Sequence, residues 1–267
     1  MKYCRFQFEG RPCYGLVERV AGREMITRLL KGFPEESGGE LEGMSSKGIE
    51  HLSLDEAELL PAVRPSKILG VGMNYYDRSA ATPPEIPPEP VLFFKPPSTL
   101  LAAGGKIIQP KMASGIVYEG EVGVVMAKTC HKLSPDEDVR PYILGYTCVN
   151  DVCAQGVTGK DGQLTRGKSF DTFCPVGPVV NSEGDPWAGI GVEAKVNGEL
   201  RQQGNTSDFV FPVDVVIRSI SQVMTLLPGD LISTGTPKGA GPVVAGDVVE
   251  VIIEGVGTLT NTIANEA

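Results

Sequence analysis

Two glutamates separated by a single glycine, Glu119-Gly120-Glu121, lie in the otherwise apolar run of residues 117–127. Side chains two apart on a strand point to the same face, so these carboxylates project side by side. Adjacent buried anions repel and each costs free energy unless something positive sits between them. A solvated strand face would also tolerate them, but the five residues after Glu121 lack the polar alternation of such a face. Asp151 closes the apolar run 144–151 and can supply a third carboxylate, although taken alone it serves equally well as a turn cap. Three carboxylate oxygens suit one hard cation, Mg²⁺ or Mn²⁺, with the remaining octahedral positions left to water and substrate.

Lys168 stands in Arg166-Gly167-Lys168-Ser169-Phe170. An ammonium near a polarised carbonyl could stabilise an enolate or move a proton; by spacing alone a solvated lysine fits as well. Thr234-Gly235-Thr236-Pro237 follows an apolar strand. Gly235 permits close backbone approach, and Thr236 offers a hydroxyl and an N–H to a carboxylate, while a tight structural turn explains the same residues. No G-x-x-x-x-G-K-[ST] occurs, and Tyr75 stands where Gly70-x-Gly72 would need its third glycine, so neither phosphate-loop nor dinucleotide chemistry is indicated.

The elements that must position these groups are mostly strands. Residues 3–8 and 13–20 flank Glu9-Gly10-Arg11 and read as a hairpin. The Gly/Glu/Ser-rich stretch 32–48 reads as a loop. A domain boundary is expected near residue 63, giving a small β-rich N-terminal domain (1–62) and a larger domain (63–267). Residues 67–73, 91–95, 106–109, 117–127 and 144–151 read as strands, and the third of the chain after Pro228 is strand-rich. Residues 82–90 hold five prolines and exclude regular structure. Ser134-Pro135-Asp136 has the composition of a helix start. Residues 211–224 place Val215, Val216, Ile220, Val223 and Met224 on one helical face. The expected class is a β-rich α+β fold.

Of 267 residues 41% are hydrophobic and 21% charged, with a formal net charge of −9. That balance argues against nucleic acid or an anionic membrane as partner and fits a protein that gathers carboxylates around a cation. No apolar run reaches the length of a membrane span, and the start MKYCRFQFEG lacks a secretory apolar region. Six cysteines without a C-x-x-C pair read as reduced thiols of a cytoplasmic protein, and two histidines, His51 and His131, make zinc an unpromising ligand choice.

Taken together and in order, the motifs resemble the fumarylacetoacetate hydrolase family. They are Gly72-Met73-Asn74-Tyr75, Phe93-Phe94-Lys95-Pro96, Tyr118-Glu119-Gly120-Glu121, Gly145-Tyr146-Thr147 to Asn150-Asp151, Gly167-Lys168-Ser169-Phe170-Asp171-Thr172-Phe173, Gln203-Gly204-Asn205-Thr206, and Leu227-Pro228-Gly229-Asp230 to Thr234-Gly235-Thr236-Pro237. The likeness runs from about Lys67 to the C-terminus. It implies a β-roll core, a homodimer, and one Mg²⁺ or Mn²⁺ held by Glu119, Glu121 and Asp151. It also implies catalytic contacts from Lys168 and Thr236, and a small 2-oxo, 2-hydroxy-dienoic or β-diketo acid as substrate.

The sequence departs from that pattern at one informative place. Hydrolytic members of the family carry His and then, three residues on, Glu as a water-activating pair; here those positions hold Arg78 and Ala81. Arginine is no general base near neutral pH. Gln155 likewise stands where many members have Arg. The resemblance and this departure together imply metal-assisted enolate chemistry, isomerisation or decarboxylation, with Arg78 as a substrate-carboxylate contact. Two alternatives stay open: a C–C hydrolase in which Asp77 or Glu85 supplies the base, and a metal- and oxo-acid-binding protein without turnover.

Overall fold

The structure is a computed structural model that describes residues 1–38, 45–76, 85–157 and 163–267. Arg78, Ala81 and Asp77 therefore lie outside the described residues, as do Thr82–Pro84 of the proline-rich stretch. The fold is a β-rich α+β fold, as expected.

Its largest sheet is built outward from β10 (Gly120–Met126), every residue of which is buried. β10 pairs antiparallel with β11 (Ile143–Asn150) on one side and β16 (Leu231–Ser233) on the other. A strand covered on both faces reads as continuous apolar sequence rather than as alternation, and Val122, Val124, Val125 and Met126 are fully buried. Gly123 is required there: a Cβ would sit 2.6 Å from Val149 Cγ2 and 2.9 Å from Thr147 Cγ2. Beyond β16 come β5 (Ile68–Gly72), parallel to it, and β6 (Val91–Lys95). Beyond β11 comes β13 (Cys174–Asn181), and then β1 (Lys2–Phe8), which joins β13 through Lys2↔Asn181 and Tyr3↔Val180. The sheet continues through β2 (Arg11–Val20), β3 (Arg23–Leu30) and β4 (Ser45–Ser53), so the N-terminal strands extend the same sheet. The β1–β2 hairpin turns at Glu9 and Gly10, both with positive φ, as a tight hairpin turn demands.

Two smaller sheets complete the β structure. One is ordered β12 (Cys153–Gln155), β9 (Gly115–Tyr118), β17 (Gly241–Val243); the other contains β14 (Gly191–Val196), β15 (Glu199–Asn205), β18 (Val248–Ile253), β19 (Gly257–Asn265) and β8 (Lys106–Gln109). The α-helices among the described residues are α1 (Thr165–Lys168) and α2 (Val213–Val223).

Four expectations need correction. Residues 117–127 are not one strand: the chain leaves β9 and enters β10 at Glu119, passing from the three-stranded sheet to the large one. No helix follows Ser134. Pro141 limits any helix there to a single turn, and the segment instead closes with Glu137 N donating to Ser134 O and a short 3-10 turn over Arg140–Tyr142. The glycine-rich stretch 32–48 contains a 3-10 turn, Pro34–Ser37, and the start of β4 at Ser45; backbone pairing with β3 makes a strand of residues whose composition signals a turn. Helix α2 forms, but its buried face is Val213, Val216, Ile217 and Ile220, while Val215 and Val223 are exposed. Those buried positions have the i, i+3, i+4, i+7 spacing of a single stripe.

Candidate metal and active site

The break between β9 and β10 creates the site. Glu119 N donates to the side-chain Asn150 Oδ1 at 3.0 Å, and Asp151 N donates back to Glu119 O at 2.9 Å. These two bonds clamp the Glu119 turn to the end of β11. Ligand-bearing oxygens of Glu119, Glu121 and Asp151 all lie within 4.8 Å of one another. The three carboxylates expected from the sequence are thus brought together.

Each is held differently. Glu121 is buried, and its Oε2 accepts from Ser233 Oγ at 2.5 Å and from Gly235 N at 2.8 Å, which leaves Oε1 uncommitted. Gly235 has φ +99°, and a Cβ there would meet Asn74 Cβ at 2.8 Å and Val71 O at 3.0 Å, so only glycine brings this N–H to Glu121. Glu119 gives Oε2 to Lys168 Nζ at 2.6 Å. Asp151 meets two ammonium groups: Lys168 Nζ lies 2.8 Å from Oδ2 and Lys95 Nζ 2.6 Å from Oδ1. Asp151 Oδ1 is buried, and the Lys95 ammonium is its close partner among the described residues.

The electrostatics follow from burial. Burial pushes the Glu119 carboxyl up, with Lys168 pulling it back and Asp151 adding to the rise. Burial also raises Glu121, well above the usual range, and the charges of Asp151 and Glu119 raise it further. At Asp151 burial opposes ionisation, but Lys168 and Lys95 outweigh it and hold the carboxyl below its ordinary value. Burial disfavours the charged form of Lys168, yet Asp151 and Glu119 raise its pKa, so it stays an ammonium.

Lys168 is the last residue of α1 and is buried, with Nζ also donating to Asp151 O at 2.9 Å and lying 5.3 Å from the Phe93 ring centre. The phenyl ring in turn rests on Gly70, where a Cβ would fall 2.0 Å from Phe93 Cζ. Thr236 sits at the rim of the site. Its hydroxyl donates to Gly120 O at 2.9 Å and accepts from Gln202 Nε2 at 2.8 Å. That hydroxyl hydrogen is therefore engaged within the protein.

Lys95 and Gln202 are the positions whose part in the site the sequence did not disclose. Lys95 is fully buried at the end of β6; its place in Phe93-Phe94-Lys95-Pro96, a charge closing an apolar strand, was the available signal. Gln202 ties Gly120 N, Thr236 Oγ1 and Pro237 O together and is 1% exposed. Of the histidines, His131 contacts Thr225, and His51 belongs to β4, six strands from β10 in the sheet.

The donor set fits a hard divalent cation. It offers one carboxylate oxygen from each of Glu119, Glu121 and Asp151, within 4.8 Å of one another, with Glu121 and Asp151 buried and Glu119 partly so. Lys95 and Lys168 offset the charges of Asp151 and Glu119, and burial beside those two carboxylates disfavours the charged form of Glu121, which a bound cation would favour.

Fold and site together define a β-rich α+β protein with a largely buried cluster of three carboxylates that could hold a cation. A family model described as "Fumarylacetoacetate (FAA) hydrolase C-terminal" matches residues 67–264, and another, "Rv2993c-like, N-terminal", matches residues 1–61. The chain belongs to the fumarylacetoacetate hydrolase family, a family of enzymes. It is 38% identical over 226 residues to oxaloacetate tautomerase YisK of Bacillus subtilis, covering 79% of this chain and 74% of that protein. It is 36% identical to the 2,4-didehydro-3-deoxy-L-rhamnonate hydrolase of a Sphingomonas species, covering 97% of this chain and 94% of that one. The crystal structure of 2-hydroxyhepta-2,4-diene-1,7-dioate isomerase from Mycobacterium marinum superposes with a TM-score of 0.87 at 35% identity, covering 100% and 99% of the two chains. Among the described residues no helix is long and apolar enough to cross a membrane.

Proposed function

We propose that this protein is a divalent-metal-dependent isomerase or tautomerase of a small 2-oxo acid, working through an enolate, with decarboxylation as the related outcome of the same charge stabilisation. The observation that carries the reading is the Lys168 ammonium held between Glu119 and Asp151 in a buried triad. Mg²⁺ or Mn²⁺ held by Glu119, Glu121 and Asp151 would polarise the 2-oxo carbonyl as a Lewis acid. Solvent water would take the proton from the carbon beside that carbonyl, the C–H electron pair would move onto the carbonyl oxygen where the Lys168 ammonium stabilises the developing charge, and a proton returned from solvent would complete the isomerisation. Being held protonated, Lys168 acts as a cation rather than as the base. Thr236 contributes to substrate placement through its backbone N–H.

Arg78, outside the described residues, is proposed to pair a substrate carboxylate in two hydrogen bonds. Arg78→Ala should then weaken binding of a dicarboxylic substrate by about 1.5–3 kcal/mol, with a far smaller effect on a monocarboxylic analogue. An equal loss for both would remove Arg78 from the site. Assembly as a homodimer in the cytoplasm belongs to the same proposal; the six cysteines, all free thiols, suit a reducing compartment.

A second reading, C–C bond hydrolysis, is favoured by the likeness to the Sphingomonas hydrolase over nearly the whole chain. Against it stand Arg78 and Ala81 at the positions of the water-activating pair. Steady-state rates with Mg²⁺ and Mn²⁺ on enol oxaloacetate, a hydroxydienedioate and an acylpyruvate separate the two. Isomerisation outpacing acylpyruvate hydrolysis supports the first reading; efficient acylpyruvate hydrolysis replaces it with the second.

A further inference from the structure

Tyr75 carries a phenol hydroxyl that is shut away from solvent and, among the described residues, has no hydrogen-bond partner. A buried hydroxyl left unpaired destabilises the chain that carries it, and a phenylalanine would fill the same space without that cost. The position is not loose. Asn74 is tied by Nδ2 to Thr234 O at 2.7 Å and by Oδ1 to Phe211 N at 2.8 Å, and Tyr76 N donates to Asp208 O at 2.9 Å. The Tyr75 ring meets Phe209 edge-on, with centroids 4.9 Å apart. On another side it packs on Gly204, where a Cβ would lie 3.4 Å from Tyr75 Cε1 and 2.5 Å from Pro237 Cβ. The ring is thus wedged beside the turn that carries Gly235 and Thr236.

The hydroxyl also lies within the field of the acidic triad. Burial raises its pKa, and Glu121 is the first charge that raises it further, followed by Asp208. At neutral pH it is therefore an O–H donor. Glu121 Oε2 is already supplied by Ser233 and Gly235, and among the described residues the phenol finds no acceptor. A donor so fixed, and so unserved, needs an acceptor that arrives with a ligand.

We propose that Tyr75 is a further substrate-contacting residue, whose phenol O–H donates to a carboxylate or carbonyl oxygen of the 2-oxo acid bound on the Glu121 side of the triad. This rests on the function proposed above. It predicts an inverted pattern of effects: removing the hydroxyl relieves the ligand-free chain and harms the complex.

The test compares wild type with Tyr75→Phe, using Mn²⁺ and oxalate as probes. Tyr75→Phe should melt at the same temperature as wild type or higher and bind Mn²⁺ equally well. Its Mn²⁺-loaded form should bind oxalate about tenfold more weakly, the scale of one such hydrogen bond. The tyrosine difference absorbance that oxalate induces in wild type should be lost. Unchanged oxalate affinity with Mn²⁺ binding intact would overturn the role of Tyr75 alone, as would a melting temperature several degrees lower, which would mark a structural hydroxyl. Failure of wild type to bind Mn²⁺ would overturn the metal-site reading and this proposal with it.

Discussion

Lys95 and Asp151 form a buried ion pair: Nζ stands 2.6 Å from Oδ1, with side-chain exposures of 0% and 1%, while Lys168 Nζ holds the other oxygen at 2.8 Å. Such a pair is a poor source of stability relative to apolar packing, but breaking it from one side leaves a buried charge with half its partners. Lys95→Met should therefore lower the unfolding free energy by about 3 kcal/mol, and adding Asp151→Asn should restore part of that loss. Urea unfolding of the two single variants and the double variant measures the coupling. A loss below about 1 kcal/mol in Lys95→Met, the scale of an exposed pair, would mean that Lys95 does not hold Asp151.

Glu121 calls for a gentler substitution. Alanine would strand the donors Ser233 Oγ and Gly235 N, whereas Glu121→Gln keeps an amide oxygen for them and removes only the charge. With one anion fewer in the triad, the metal-free protein should melt at the wild-type temperature or above. Mn²⁺ should raise the melting temperature of wild type, EDTA should reverse the rise, and neither should move Glu121→Gln. A full Mn²⁺ shift in the variant would place the cation elsewhere.

For Lys168→Met the kinetic signature matters more than the size of the loss. Charge on the carbonyl oxygen grows on the way to the transition state, so kcat should fall far more than KM rises. A rise in KM at constant kcat would instead make Lys168 a binder of the ground-state carboxylate.

A pH-dependent contribution to stability is expected away from the site. Burial opposes ionisation of Asp214, but the Trp187 indole N–H at 3.0 Å and the Arg218 guanidinium at 2.6 Å outweigh it and lower its pKa. A carboxyl depressed in the folded state stabilises above its unfolded pKa, and that stability is lost as pH falls through the folded value. The difference in urea midpoint between wild type and Asp214→Asn should thus be present at pH 7 and shrink as pH drops below about 4. A constant difference would assign the effect to packing.

The candidate site residues were legible because burying charged groups is costly and local. Two glutamates two apart on an apolar strand, Asp151 at a strand end and the motif around Lys168 each break a pattern that burial would otherwise impose. What was not legible is how long-range pairing resolves those patterns. The break at Glu119 arises because residues 115–118 pair with β12 and β17 while residues 120–126 pair with β11 and β16, and nothing local in the run announces a change of sheet. β4 likewise forms from turn-like residues because β3 offers an edge. The wrong face assigned to α2 has a similar origin: valines at 215 and 223 are as apolar as those at 213 and 216, and only the position of the large sheet selects among them. Lys95 escaped notice because a charge at a strand end usually meets solvent, whereas here the end of β6 meets Asp151.

The most direct test of the central claim is deuterium exchange at C3 of oxaloacetate, followed by proton NMR in D₂O with Mn²⁺-free, Mg²⁺-supplied protein. Wild type should accelerate exchange above the rate with Mg²⁺ alone, EDTA should abolish the acceleration, and Glu121→Gln and Lys168→Met should each lose most of it. Acceleration that survives EDTA, or that persists undiminished in Glu121→Gln, would contradict metal-assisted enolate chemistry at the triad of Glu119, Glu121 and Asp151.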